Sequence, residues 1–74
     1  MKFFSYDPDD GFEVHETEEE AKMCAQKTID RYRDDATDGW SEEVEYVCWG
    51  ELRQQAVEIP INDHSCDYKL VDAI

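Results

Sequence analysis

A chain of 74 residues, 41% apolar and 12% aromatic, can fold as one small acidic domain spanning 1–74 but has no room for a cofactor domain beside a substrate domain. With 20 acidic and 7 basic residues, its formal charge is −13 at pH 7. Like-charge repulsion excludes nucleic acid and anionic membrane as direct partners and favours a basic protein surface.

The opening KFFSY is short and aromatic-rich, which suits a strand. GFEVHE alternates Phe12 and Val14 with Glu13 and His15, the period-two pattern of a strand whose apolar side is buried. Between them lies DPDDG, a turn by its chemistry: proline fixes φ, Asp side chains close local turns, and Gly accepts positive φ. The two elements should form a hairpin. Thr17 and Glu20 then make a T-x-x-E capping box that opens a helix. Ala21, Cys24, Ala25, Thr28, Ile29 and Tyr32 follow at helical spacing as one stripe, with Glu18, Glu19 and Glu20 at the positive end of the dipole. The helix should end near Asp34 or Asp35. Asp30, Asp34 and Asp35 then fall where the dipole favours cations, and Arg31 and Arg33 offset them only in part, unless Asp34 and Asp35 lie beyond the last turn.

The second half, EEVEYVCWGELRQQAVEIP, reads as strand-rich. Val44, Tyr46 and Cys48 share one side of a strand; Glu43, Glu45, Val47 and Trp49 share the other. Gly50 marks a bulge or a bend, after which ELRQQAVEI continues or turns back. Residues 60–65 are expected as a loop, and CDYKLVDAI as a last strand. The expected fold is α+β, in the order β-β-α-β-β-β, with a single helix on one face of a mainly antiparallel sheet. One sheet face is then uncovered. The alternation assigns to it Val47 and Trp49, rimmed by Glu43, Glu45, Glu51 and Arg53, as a contact surface. The alternative is that Trp49 packs under a loop or against the last strand.

Candidate chemistry is sparse. DPDDG invites calcium, but Asp7, Asp9 and Asp10 before Gly11 fall one residue short of the D-x-[DN]-x-[DN]-G spacing, and strand-like alternation follows where a helix is required. A solvated turn is the expectation. His64 and Cys66 are close in sequence, but His15, Cys24 and Cys48 supply no second pair at zinc-ligand spacing. No metal and no cofactor is expected. The three cysteines match no CxxC pattern and are odd in number, which suits reduced thiols in a cytosolic protein. A thiol nucleophile needs positive surroundings, and this chain offers the reverse. The segment MKFFSYDPDD holds one lysine and a two-residue apolar run, so no secretory leader or membrane span is expected. The reading is non-enzymatic.

Charge distribution says more. Four of the seven basic residues (Lys22, Lys27, Arg31, Arg33) lie in the helix, leaving only Lys2, Arg53 and Lys69 elsewhere. Carboxylates therefore concentrate on the turns and the sheet. Alternate strand residues stand about 6.6 to 7 Å apart, of the same order as successive phosphates on one nucleic-acid strand. Glu43 and Glu45 on a strand, flanked by an acidic hairpin, would copy such a backbone and occupy a Lys/Arg groove. The residues expected to meet a partner are Asp7, Asp9, Asp10, Glu13, Asp38, Glu42, Glu43, Glu45, Trp49 and Glu51.

SYDPDDGFEVHET, the acidic cap into an alanine-bearing helix, DGWSEEVEYVCWGE and the closing CDYKLVDA together resemble small acidic proteins encoded by bacteriophages and prophages. The likeness runs over most of the chain and is strongest at the hairpin and at DGW…EEVE…CWG; IPINDHS is shorter than the insert many of those proteins carry there. The resemblance implies a setting, the cytoplasm of an infected bacterium, and assigns no site residues. It suggests an inhibitor of a basic, nucleic-acid-handling host protein, of anti-CRISPR or other anti-defence type. The alternative is a phage regulatory or assembly module, homodimeric through the Val47/Trp49 face.

Overall fold

The computed structural model describes all 74 residues. β1 (Lys2–Asp7) and β2 (Gly11–His15) form the hairpin. After them come α1 (Glu18–Asp34), a short 3-10 helix (Glu42–Tyr46), β3 (Cys48–Leu52), β4 (Gln54–Asn62) and β5 (Ser65–Asp72). The fold is α+β with β-β-α-β-β-β order. Its strands divide into two sheets: an antiparallel β2-β1-β3 sheet that carries α1, and a two-stranded β4-β5 ribbon.

Local chemistry explains the first elements. In the hairpin turn the Asp9 N–H donates to Asp7 Oδ1 at 2.9 Å, and Gly11 takes φ of 92°, a left-handed conformation that costs a glycine little. Thr17 caps α1 by accepting the Glu20 N–H at 3.1 Å. Asp34 is the last helical residue and Asp35 the C-cap, its N–H donating to the Arg31 carbonyl. Both carboxylates thus stand at the negative end of the dipole.

The helix lies on β2-β1-β3 through a narrow stripe. Ala21, Ala25, Thr28 and Tyr32 are buried against it, together with Ser5 of β1, and these five are the whole buried set. Small residues at i and i+4 let the helix come close to the sheet. The Tyr32 hydroxyl is buried without a hydrogen-bond partner.

The register reverses the expected inside and outside of the sheet. Phe3, Ser5, Asp7, Glu13, His15, Trp49 and Glu51 share one side, and contacts from α1 identify it as the helix side. Phe12 and Val14, expected inward, are 71% and 45% exposed on the opposite side. Trp49, expected on the open face, lies on the helix side with the Lys22 ammonium 5.2 Å from its ring centre. The reason is polar pairing: α1 offers Cys24 from its stripe and Arg31 from beside it to Glu13 and Asp7, which an apolar strand face could not satisfy.

Three further expectations are corrected. Residues 42–46 form a 3-10 helix in place of the start of a strand; Ser41 caps it by accepting the Glu43 N–H, and Val44 within it and Val47 at its C-cap, three apart, are half-buried. Gly50 makes neither bulge nor bend: β3 pairs regularly with β1, and a Cβ at Gly50 would sit 3.0 Å from Phe4 Cε1, so its bareness lets the Phe4 ring lie against the strand. The loop expected at 60–65 shrinks to a turn at Asp63–His64, because β4 continues past Pro60 through a register shift that absorbs the missing N–H. The ribbon projects, giving the molecule extents of 54 × 26 × 14 Å. No helix is long and apolar enough to cross a membrane.

Candidate partner-binding surface

Where α1 ends, the hairpin turn, the helix C-terminus and the 3-10 helix bring carboxylates together. Arg31, in the last turn of α1, reaches the hairpin 24 residues away: Nη1 donates to Asp7 Oδ2 at 2.8 Å and Nη2 to Asp7 Oδ1 at 2.9 Å. It also pairs with Asp9 at 3.3 Å and Asp10 at 3.8 Å. The Arg31 hydrogen bonds hold the Asp7 carboxyl down at about 2, helped by the Asp9 N–H and opposed by burial. The same contacts raise the Arg31 pKa. Asp7, Asp9 and Asp10 are thus largely committed to bracing the turn on the helix.

The segment DDATDGWSEEVE, residues 34–45, is different. Asp34, Asp35, Asp38, Glu42, Glu43 and Glu45 are all exposed, and none makes an ion pair. No basic residue occurs between Arg33 and Arg53 to offset them. Trp40, midway along this segment in sequence, is 48% exposed, its ring 5.6 Å from the Arg33 guanidinium. Burial, reinforced by the charges of Asp9, Glu43 and Asp7, raises the Tyr32 hydroxyl pKa. Arg33, the base nearest this segment in sequence, is paired with Asp30.

Of the ten residues expected to meet a partner, Asp38, Glu42, Glu43 and Glu45 lie exposed and unpaired in this one segment, and Asp7, Asp9 and Asp10 are the hairpin carboxylates paired with Arg31. Glu13 is turned toward the helix, accepting the Cys24 thiol at 3.1 Å. Glu51 is exposed on the edge strand β3, and Trp49 lies beneath Lys22. Glu43 and Glu45 are not on a strand, so the spacing argument for a copied phosphate backbone does not hold; what the ridge offers is charge density with an aromatic anchor. Sequence reasoning left Asp34, Asp35 and Trp40 out of the set. The signal was present: six acids in DDATDGWSEEVE with no base.

A second polar group lies under the helix. Glu13, His15 and Cys24 bring one donor atom each to within 4.8 Å of one another. Carboxylate, imidazole and thiolate together suit a borderline ion such as zinc. Each of the three also has a partner without an ion: Cys24 donates to Glu13, and His15 Nε2 bonds the Ser5 hydroxyl at 2.8 Å. The Cys24 pKa is raised; a Ser5 hydrogen bond pulls it down, but burial and the Glu13 carboxylate outweigh that. Cys24 is therefore a thiol at neutral pH and a poor nucleophile. Beside it a polar cleft of about 410 Å³ runs between hairpin and helix, lined by Ser5, Glu13, Lys27 and Arg31 among others.

Comparison with protein-family models, with curated proteins and with solved structures finds no match to this chain.

Proposed function

We propose that this protein is a non-enzymatic inhibitor that binds a basic, nucleic-acid-handling protein of a bacterial host through the ridge at residues 34–45. One observation carries the reading: six exposed, unpaired carboxylates flank Trp40 within twelve residues of sequence, and two of them stand at the C-terminal end of α1, where the dipole disfavours them. Folding gains nothing from that arrangement, and solubility would be served as well by carboxylates scattered elsewhere. A Lys/Arg groove would gain from it. Each exposed lysine or arginine meets a carboxylate without an internal competitor, and an arginine can stack on Trp40. Long-range attraction would speed the encounter, and occupation of the groove would exclude DNA or RNA. The Cys24 thiol, kept protonated by burial and by the Glu13 carboxylate beside it, is a poor nucleophile, which supports binding over catalysis. The resemblance to small acidic phage proteins supplies the setting, the cytoplasm of an infected bacterium, and the anti-defence role.

Charge reversal at Glu42, Glu43 and Glu45 to Lys tests this reading. Capture of a basic host protein from lysate by the wild type should weaken steeply with added salt and disappear with the triple variant. Capture that survives both would show that the ridge is not the contact.

A further inference from the structure

We propose that Glu13, His15 and Cys24 bind a zinc ion that staples the hairpin to α1. One donor atom of each, a carboxylate oxygen, an imidazole nitrogen and the thiol sulfur, lies within 4.8 Å of the other two. Ligand atoms of tetrahedral zinc stand about 3.5 Å apart; the Cys24 sulfur and Glu13 Oε2 are already at 3.1 Å. The widest separation has to close by about 1 Å, which side-chain rotation supplies, because Glu13 is exposed and His15 and Cys24 are only half-buried. Glu13 and His15 come from alternate positions of β2 on the side facing α1, and Cys24 from the helix stripe. Their spacing, E-x-H-x8-C, matches no zinc pattern, since the packing of helix on hairpin, not local sequence, assembles them. Ser5, 3% exposed and opposite Glu13 in the hairpin, bonds His15 Nε2 at 2.8 Å and holds the ring in place.

Three observations point to zinc. First, the donor set is selective. One carboxylate falls far short of the roughly six to eight oxygens that calcium takes, whereas thiolate with imidazole suits zinc. Carboxylate and thiolate balance both charges of the ion and the imidazole adds none, so the site ends neutral and Lys27, on the wall of the adjoining cleft, does not oppose it. Second, a single proton now separates the Cys24 sulfur from the Glu13 carboxylate. Zinc takes its place: the Zn–S bond forms as the thiol loses that proton to solvent. Third, the fold has little else to hold it. Five residues of 74 are buried, the three cysteines are free, and chains this short commonly add a metal to so small a core. The sheet also turns Glu13 and His15 to the helix while leaving Phe12 71% exposed. A metal link across this face supplies stability that the apolar face, turned inward, would have given. The cleft lined by Glu13 and Cys24 admits the ion and has room for a water as fourth ligand.

The site is independent of residues 34–45, and its test needs no partner. The 74-residue chain, reduced and stripped of metal with a chelator, is titrated with zinc against a chromophoric competitor and, separately, with cobalt. Wild type should bind one ion, show a thiolate-to-cobalt charge-transfer band in the near ultraviolet, and unfold at higher urea with zinc present. Cys24→Ser should lose the band. His15→Gln should weaken zinc by more than the roughly 10- to 100-fold typical of outer-shell partners. Cys48→Ser with Cys66→Ser, and the variant bearing lysine at 42, 43 and 45, should bind as wild type does. Should Cys24→Ser fail to fold, alkylation of the wild type decides: zinc should protect Cys24 and leave Cys48 and Cys66, both exposed, reactive. A cobalt spectrum without the band, a band that survives Cys24→Ser, unchanged zinc affinity in His15→Gln, displacement of zinc by an equal concentration of calcium, or Cys24 alkylation that ignores zinc overturns the proposal.

Discussion

Replacing Arg31 by methionine keeps most of the apolar stem and removes the charge that ties the hairpin to α1. Asp7 titrates at about 2 instead of 3.8 because of Arg31 first, then the backbone N–H groups of the turn, with burial opposing. A shift of that size is worth at most about 2.4 kcal/mol. The turn N–H bonds survive the substitution, and Arg31 is 43% exposed, so solvent screens its pair. The expected loss is about 1 kcal/mol at neutral pH. Asp7 has a folded pKa below its unfolded one, so its contribution is complete above about pH 4 and is lost as pH falls through about 2. The gap between wild type and Arg31→Met should therefore be open at neutral pH and close across that acidic window. Urea unfolding at fixed chain concentration, followed by far-UV circular dichroism over a pH series, reads it directly. A gap that persists at the acid end would assign the effect to stem packing. No gap at neutral pH would show that the clamp contributes nothing.

Other substitutions probe separate joints. Thr17→Ala removes the acceptor of the Glu20 N–H and should cost about 1 kcal/mol in the same unfolding assay. Gly11→Ala has open space for its Cβ but forces φ of 92° on an L side chain, so a loss of about 1 kcal/mol is expected from backbone strain alone. Tyr32→Phe deletes a buried hydroxyl that has no partner; stability should rise by about 0.5 to 1 kcal/mol, and a loss would reveal a hydrogen bond to water.

Local signals in the sequence were legible and long-range ones were not. DPDDG and T-x-x-E act over three or four residues, and both the hairpin and the helix start appear where they were read. The helix stripe was also correct, since Ala21, Ala25, Thr28 and Tyr32 are the buried residues of α1. Alternation in GFEVH fixed which residues share a side but not which side the helix takes, because that depends on partners such as Arg31 and Cys24 far along the chain. The usual assumption that the apolar side is covered failed here, and the open aromatic side is the result. EEVEY misled because its alternation also fits a 3-10 turn once Ser41 caps it. Of the partner surface, the acidic run was visible as composition; that Arg31 withdraws the hairpin aspartates and leaves residues 34–45 unpaired is a tertiary fact.

The central claim is that the unpaired carboxylates flanking Trp40 occupy the nucleic-acid groove of a basic partner. Competition tests it most directly: a protein captured from host lysate is titrated with labelled DNA in the presence of wild type or of the variant bearing lysine at 42, 43 and 45. The account predicts that wild type displaces the DNA and the variant does not. DNA bound equally well in the presence of saturating wild type would contradict it.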